Sequence, residues 1–150
     1  MTHTAQFRVY YEDTDLAGIV YYANYLKFIE RGRSEWVRDC GVDQGALRAD
    51  QGIVFAVRKV DADFLKPAKF DDLLQVTTDL VALGGASITL RQEVWRGEER
   101  LFTAHVVLVC LHDTGKPARV AVIEPVEIEP QHRLDSGEIP GQRRHGHARP

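Results

Sequence analysis

Two acids stand two residues apart in a turn-rich stretch, Asp13-Thr14-Asp15-Leu16-Ala17-Gly18, directly before the first long apolar-periodic segment of the chain. The spacing sets a carboxylate beside what the periodicity predicts to be a helix N-terminus. The first N–H groups of a helix lack intrahelical acceptors and together carry about half a positive charge. They suit a carbonyl oxygen that turns negative during attack. A carboxylate held nearby suits a base that activates water, or a nucleophile. An acid with an oxyanion donor is a sensible minimal kit for a thioester, whose resonance is weak and whose leaving group is good. By residue type alone, Asp13 and Asp15 equally suit ordinary turn positions, because Asp favours loops before helices.

The elements that position these residues follow from hydrophobic period. Residues 6–12 are rich in aromatic and β-branched types and predict a first strand. A helix is predicted from about Tyr22 to Cys40: Tyr25, Phe28, Ile29, Trp36, Val37 and Cys40 recur at three- and four-residue spacing, with most charges on other faces. Gly32 falls on the apolar side, where Gly costs about 1 kcal/mol against Ala; close packing on a sheet would explain it. Gly41 is the stop signal. Asp43 caps one or two short turns over 44–50. Strands are predicted at about 53–65, 73–83, 86–96 and 101–112. In the third, Ala86, Ile88, Leu90 and Val94 alternate with Ser87, Thr89, Arg91 and Glu93, which predicts one buried face. The last is apolar on both parities and reads as a central, doubly covered strand. Gly84-Gly85 and Arg96-Gly97-Glu98-Glu99 read as hairpin turns, and Asp71-Asp72 as another turn.

The order is strand, long helix, four antiparallel strands: an α+β fold with a five-stranded sheet and one helix. One helix covers one sheet face, so the other face and the edges call for a second copy of the chain.

Composition narrows the function classes. The 150 residues are 44% hydrophobic and 27% charged, average for one globular domain. A formal net charge of −3 provides no global field for nucleic acid or an anionic membrane. Cys40 and Cys110 lie in apolar contexts and read as buried, reduced thiols. The opening residues show no export pattern and no apolar run is long enough to span a bilayer, so a cytoplasmic protein is expected. The domain is placed at 1–129. Residues 130–150 read as a disordered tail, with His132, His145 and His147 as solvated residues rather than metal ligands. His105, within an apolar strand, reads as a satisfied core residue. No phosphate loop, nucleotide fingerprint, Ser/His/Asp order or metal-ligand spacing appears, so no metal and no cofactor is expected.

The stretch Tyr11-Glu12-Asp13-Thr14-Asp15, then Gly18-Ile19-Val20-Tyr21-Tyr22, then Tyr25, resembles the 4-hydroxybenzoyl-CoA thioesterase family of hotdog proteins, closest to the branch associated with the bacterial Tol–Pal system. Val57-Arg58-Lys59, Pro67-Ala68 and Asp71-Asp72-Leu73-Leu74 extend the likeness over about residues 6–125. The resemblance implies a hotdog fold, with the five-stranded antiparallel sheet wrapped around one long central helix. It implies an acyl-CoA substrate, Asp15 as the catalytic carboxylate, the Tyr22 backbone N–H as oxyanion donor, and Gly18 as the residue that lets the loop turn beside the substrate. Asp13 is left a structural role. Many members of that branch have His where this chain has Tyr22, so an imidazole mechanism is ruled out here, whereas a backbone amide is indifferent to the change. In such folds the helix helps line the acyl pocket, so Glu30 would meet a polar acyl group or else pair with Arg31 or Arg33. Ser87 stands where relatives contact the nucleotide portion, and Lys59 is a candidate phosphate ligand beside Arg58, Lys66 and Arg91. Relatives often carry Arg or Lys in the turn that is Gly84-Gly85 here, which weakens the case for local phosphate clamping.

The implied assembly is a homodimer, pairing again into a dimer-of-dimers tetramer, with peripheral association to envelope or lipid-synthesis proteins. Two other readings compete. A hotdog hydratase or dehydratase wants a His near the pocket and an acid on the helix, and this helix has no His. A non-catalytic acyl-CoA or acyl-carrier binding scaffold would bind without releasing thiol.

Overall fold

The structure, a computed structural model, describes residues 2–119. The domain boundary expected at 129, the tail, and His132, His145 and His147 lie outside the described residues. The strands are β1 (Thr2–Arg8), β2 (Ile53–Phe64), β3 (Leu73–Leu83), β4 (Ser87–Arg96) and β5 (Glu99–His112); the helices are α1 (Tyr25–Asp39) and α2 (Gln44–Gln51). The strands form one antiparallel sheet in the order β1-β3-β4-β5-β2. The sheet wraps α1, as the hotdog fold requires.

The apolar stripe of α1 is what seats it. Tyr25, Phe28, Ile29, Gly32, Trp36 and Val37 are buried, facing Leu74, Val76, Leu90, Val94, Phe102 and Val106 in one core. Gly32 is the point of closest approach: a Cβ there would run into the Val76 side chain. Gln92, fully buried, reaches across and donates Nε2 to the Ile29 carbonyl (2.9 Å) and to Thr78 Oγ1 (2.9 Å). Helix and sheet are thus joined by a polar contact as well as by packing. Gly41, at φ 89°, ends the helix as the sequence predicts, and Asp43 Oδ1 caps α2 at the Ala46 amide (3.0 Å).

Four expectations need correction. The first strand is at Thr2–Arg8, not 6–12, and Tyr11–Asp13 is a 3-10 turn. Asp13 takes the Tyr10 amide on its carboxylate (2.8 Å), an alternative to a sheet ladder that Asp side chains often supply. The segment Tyr22–Asn24 is likewise a 3-10 turn that feeds α1, rather than the helix's first α turn. Strand β5 is not central: β4 holds that place, and β5 lies between β4 and β2. Phe102, Ala104, Val106, Leu108 and Cys110 bury one face of it, while its other face carries the exposed His105 and half-buried Val107 and Val109. His105 is therefore no core residue, because its parity turns it away from α1.

Candidate active site

The loop from Asp13 to Val20 is closed by a short antiparallel bridge between Thr14 and Val20. The Asp15 amide donates to the Ile19 carbonyl (2.9 Å) and the Gly18 amide to the Asp15 carbonyl (2.9 Å). The tight return needs φ 79° at Gly18, a left-handed value that a Cβ would strain.

This closure turns the two acids to different tasks. Asp13 is buried; besides the Tyr10 amide on its carboxylate, its carbonyl accepts Tyr21 N (3.0 Å) and Asn24 Nδ2 (2.9 Å). Asp15 is exposed. Its Oδ1 accepts the Ala17 amide (2.9 Å), and among the described residues Oδ2 has no partner. Tyr22 opens the 3-10 turn. Its N–H finds no acceptor among the described residues, as expected of the first amide of a helical run. A carboxylate oxygen in the closed loop and an amide donor two residues past its bridge, both unspent, thus lie on one short segment of chain.

The loop rests on the β2–β3 connection. Val20 N donates to Ala68 O (2.8 Å), Ile19 bridges Lys69, and Ala68 N donates to the Tyr25 hydroxyl (2.9 Å). Arg96 braces the same connection through Pro67 O (3.2 Å) and Asp72 (2.8 Å). Asp72 also takes the Lys69 amide (2.8 Å) while Asp71 sits at φ 73°, so this pair shapes a turn as expected. Around the site lie exposed aromatic and apolar side chains: Tyr11 stacked on Phe70 (4.5 Å), Tyr22 edge-on to Phe64 (5.9 Å), and Leu16. That surface suits an apolar acyl chain better than a charged ligand.

Of the six residues proposed from sequence, Asp15 and Gly18 share the closed loop, and Tyr22 follows it two residues past Val20. Glu30 lies on the exposed side of α1, two turns along, where Ser34 Oγ donates to it (2.7 Å). Among the described residues it forms no ion pair with Arg31 or Arg33; Arg33 turns instead to Gln92 Oε1 (3.1 Å). Burial draws the Arg33 guanidinium pKa down, with Glu30 opposing. Lys59 sits at the β2 bulge, and Ser87 opens β4 at the end of the sheet away from Asp15. The ten residues of β4 span about 30 Å, so within one protomer Ser87 is separated from the acid loop. A groove at the α1–α2 junction, lined by Ser34, Arg38, Gly41 and Asp43, lies at the far end of α1 from Tyr22.

Sequence reasoning passed over Asn24, the Tyr25 hydroxyl, Ala68 and Gln92. A Tyr in an apolar stripe signals that its O–H must find a partner. That the partner is Ala68, 43 residues on, carries no local signal. Cys40 and Cys110 are buried free thiols, each with its pKa pushed up by burial. Among the described residues, no group of His, Cys, Asp or Glu could hold a metal ion, and no helix is long and apolar enough to cross a membrane.

Residues 17–103 match the family described as the thioesterase superfamily. Acyl-CoA thioesterase YbgC of Haemophilus influenzae is 41% identical over 120 residues, covering 80% of this chain and 88% of that protein. The 1,4-dihydroxy-2-naphthoyl-CoA hydrolase of Thermosynechococcus vestitus is 31% identical over 122 residues, covering 81% of this chain and 83% of that protein. Among solved structures, a probable thioesterase from Bartonella henselae superposes with a TM-score of 0.76 at 40% identity, covering 80% of this chain and 99% of that one.

Proposed function

The chain belongs to the thioesterase superfamily, and we propose that it works as an acyl-CoA thioesterase in which Asp15 and the Tyr22 amide form the reacting pair. One observation carries this reading: the free Oδ2 of Asp15 lies in the closed loop, and the unpaired N–H of Tyr22 opens the turn two residues past the Val20 bridge that closes it. The thioester carbonyl oxygen docks on the Tyr22 amide, and Asp15 takes a proton from a water that attacks the carbonyl carbon. The C–S bond of the tetrahedral intermediate then breaks, and the departing CoA thiolate takes up the proton, giving a free acid and CoA. In a variant of the same chemistry, Asp15 attacks the carbonyl itself and water cleaves the resulting mixed anhydride. The amide stabilises the oxyanion in either route. The Ala17 N–H, fixed on Oδ1, orients the carboxylate and leaves Oδ2 to react.

A homodimer completes the reading. β2 is an edge strand with Val57, Val60 and Phe64 exposed, the kind of edge that proteins cover. Antiparallel pairing of two such edges would set the Ile53 end of one β2 beside the Phe64 end of the other, with Lys59 exposed mid-strand near the seam as a candidate for CoA phosphates. Two such dimers would pair into a tetramer. Association with envelope or lipid-synthesis proteins rests on likeness to the Tol–Pal branch.

The test is release of free thiol from short-chain, long-chain and aromatic acyl-CoAs by the purified protein. Release above background with a clear acyl preference supports the reading. Tight binding of acyl-CoA with no thiol released from any of them would overturn it in favour of a binding scaffold.

A further inference from the structure

We propose that Tyr25 is a positioning residue whose buried hydroxyl, acting through Ala68, sets where the Asp15 loop stands relative to the Tyr22 amide. The inference rests on the assignment of Asp15 and Tyr22 as the reacting pair.

Tyr25 is the first residue of α1, three positions after Tyr22, so its ring and the proposed oxyanion donor share one backbone segment. The ring is immobilised, stacked on Phe102 at 5.1 Å and edge-on to Phe64 at 5.7 Å, with 3% of its surface exposed. That packing needs only a phenyl ring. The hydroxyl points away from it, toward the β2–β3 connection. It accepts the Ala68 amide at 2.9 Å and lies 3.5 Å from the Lys66 carbonyl. Ala68 is fully buried, so no bulk water stands ready to replace the hydroxyl as acceptor.

Ala68 passes the constraint on. Its carbonyl accepts Val20 N at 2.8 Å, and Val20 closes the bridge to Thr14, next to Asp15. One residue is therefore held on its N–H by the helix that carries the amide donor, and holds on its C=O the loop that carries the acid. The two halves of the site are coupled through a single residue. A buried amide left without an acceptor is costly, so removing the hydroxyl moves this connection rather than leaving it in place. A shift of about 1 Å at a reacting pair is enough to lose a large part of the rate.

Tyr25→Phe keeps the ring and deletes the hydroxyl. The expected result is a fall in kcat of about tenfold or more with KM changed by less than about twofold, the pattern of a contact that matters in the transition state. Val37→Ala, at the other end of the same helix, is the control: it lowers the thermal midpoint and leaves kcat in place. Retained kcat in Tyr25→Phe, or an equal loss in Val37→Ala, would overturn the inference. Asp15→Asn in the same assay separates the two claims. If it keeps turnover, the reading of the site fails; if it is inactive while Tyr25→Phe is fully active, only the positioning role fails. Amide exchange in the wild-type protein gives a second readout that needs no variant. Ala68 and Val20 should exchange as slowly as the amides of β3, and rapid exchange at both would sink the proposal.

Discussion

Asp13 and Asp15 sit two residues apart, and their carboxylates do opposite work: Asp13 is 5% exposed and spent on the Tyr10 amide, whereas Asp15 is exposed with one oxygen unpaired. Asp15→Asn should therefore lower kcat by about 100- to 10,000-fold, the range of general-base assistance, with little change in KM or thermal midpoint. Asp13→Ala removes the carboxylate acceptor of the part-buried Tyr10 amide and should cost about 1–3 kcal/mol of stability. Urea unfolding and steady-state kinetics of both variants distinguish the roles, and the assignment of Asp15 fails if Asp13→Ala is the variant that loses turnover at full stability.

Base and nucleophile are separated by where the new oxygen comes from. In a single turnover in ¹⁸O-water, direct water attack puts ¹⁸O in the product acid. Attack by Asp15, followed by water cleaving the anhydride at the Asp15 carbonyl, delivers a carboxylate oxygen of the protein to the first product and leaves ¹⁸O on the enzyme. With Oδ2 acting as base, label is expected in the acid alone, and mass spectrometry of the acid and of the peptide containing Asp15 reads it out. Label on that peptide after one turnover would establish the nucleophilic route instead.

Gly32 should resist even alanine. Gly→Ala within a helix ordinarily gains about 1 kcal/mol, but here the new methyl meets the Val76 side chain, and overpacking a filled core costs about 1–3 kcal/mol. The clash is the larger effect, so Gly32→Ala should be net destabilised in urea unfolding. Val76→Ala clears the nearest atom, and the double variant should be more stable than the sum of the two singles predicts. Simple additivity would mean that this contact does not control the approach of helix and sheet.

Much of this fold was legible because its elements are local patterns. The stripe Tyr25, Phe28, Ile29, Trp36, Val37 marks α1 without reference to the sheet, and Gly32 within it announces the close approach that Val76 makes real. The first strand was misplaced because aromatic residues at 10 and 11 read as strand, whereas the Asp13 carboxylate draws their backbone into a turn. The site was legible only along the chain: Asp15, Gly18 and Tyr22 fall within eight residues. What holds that loop was hidden, because Tyr25 and Ala68, or Arg33 and Gln92, meet only after the sheet has formed. Ser87 and Lys59, expected to meet CoA outside the acid site, stand apart from Asp15 within one protomer because strand direction carries them elsewhere on the sheet.

The Tyr25 hydroxyl also makes a prediction at alkaline pH. Burial raises its pKa above the ordinary 10.0, partly offset by the Ala68 amide, which favours the phenolate. In the folded protein the hydroxyl therefore stays protonated at pH values where the unfolded chain has begun to ionise. The unfolded state then binds fewer protons than the native state, and stability falls as pH rises. The stabilisation is fully present below pH 10 and is lost as pH climbs toward the raised folded value. Tyr25→Phe lacks this group, so the stability gap between wild type and variant should be constant from neutral pH to about 9.5 and narrow above 10. Urea unfolding of the two proteins across that range measures it directly. Because Cys40 and Cys110 are common to both, their own titration cancels in the difference, and a gap that stays flat or widens above pH 10 would show that Tyr25 is not held neutral by its surroundings.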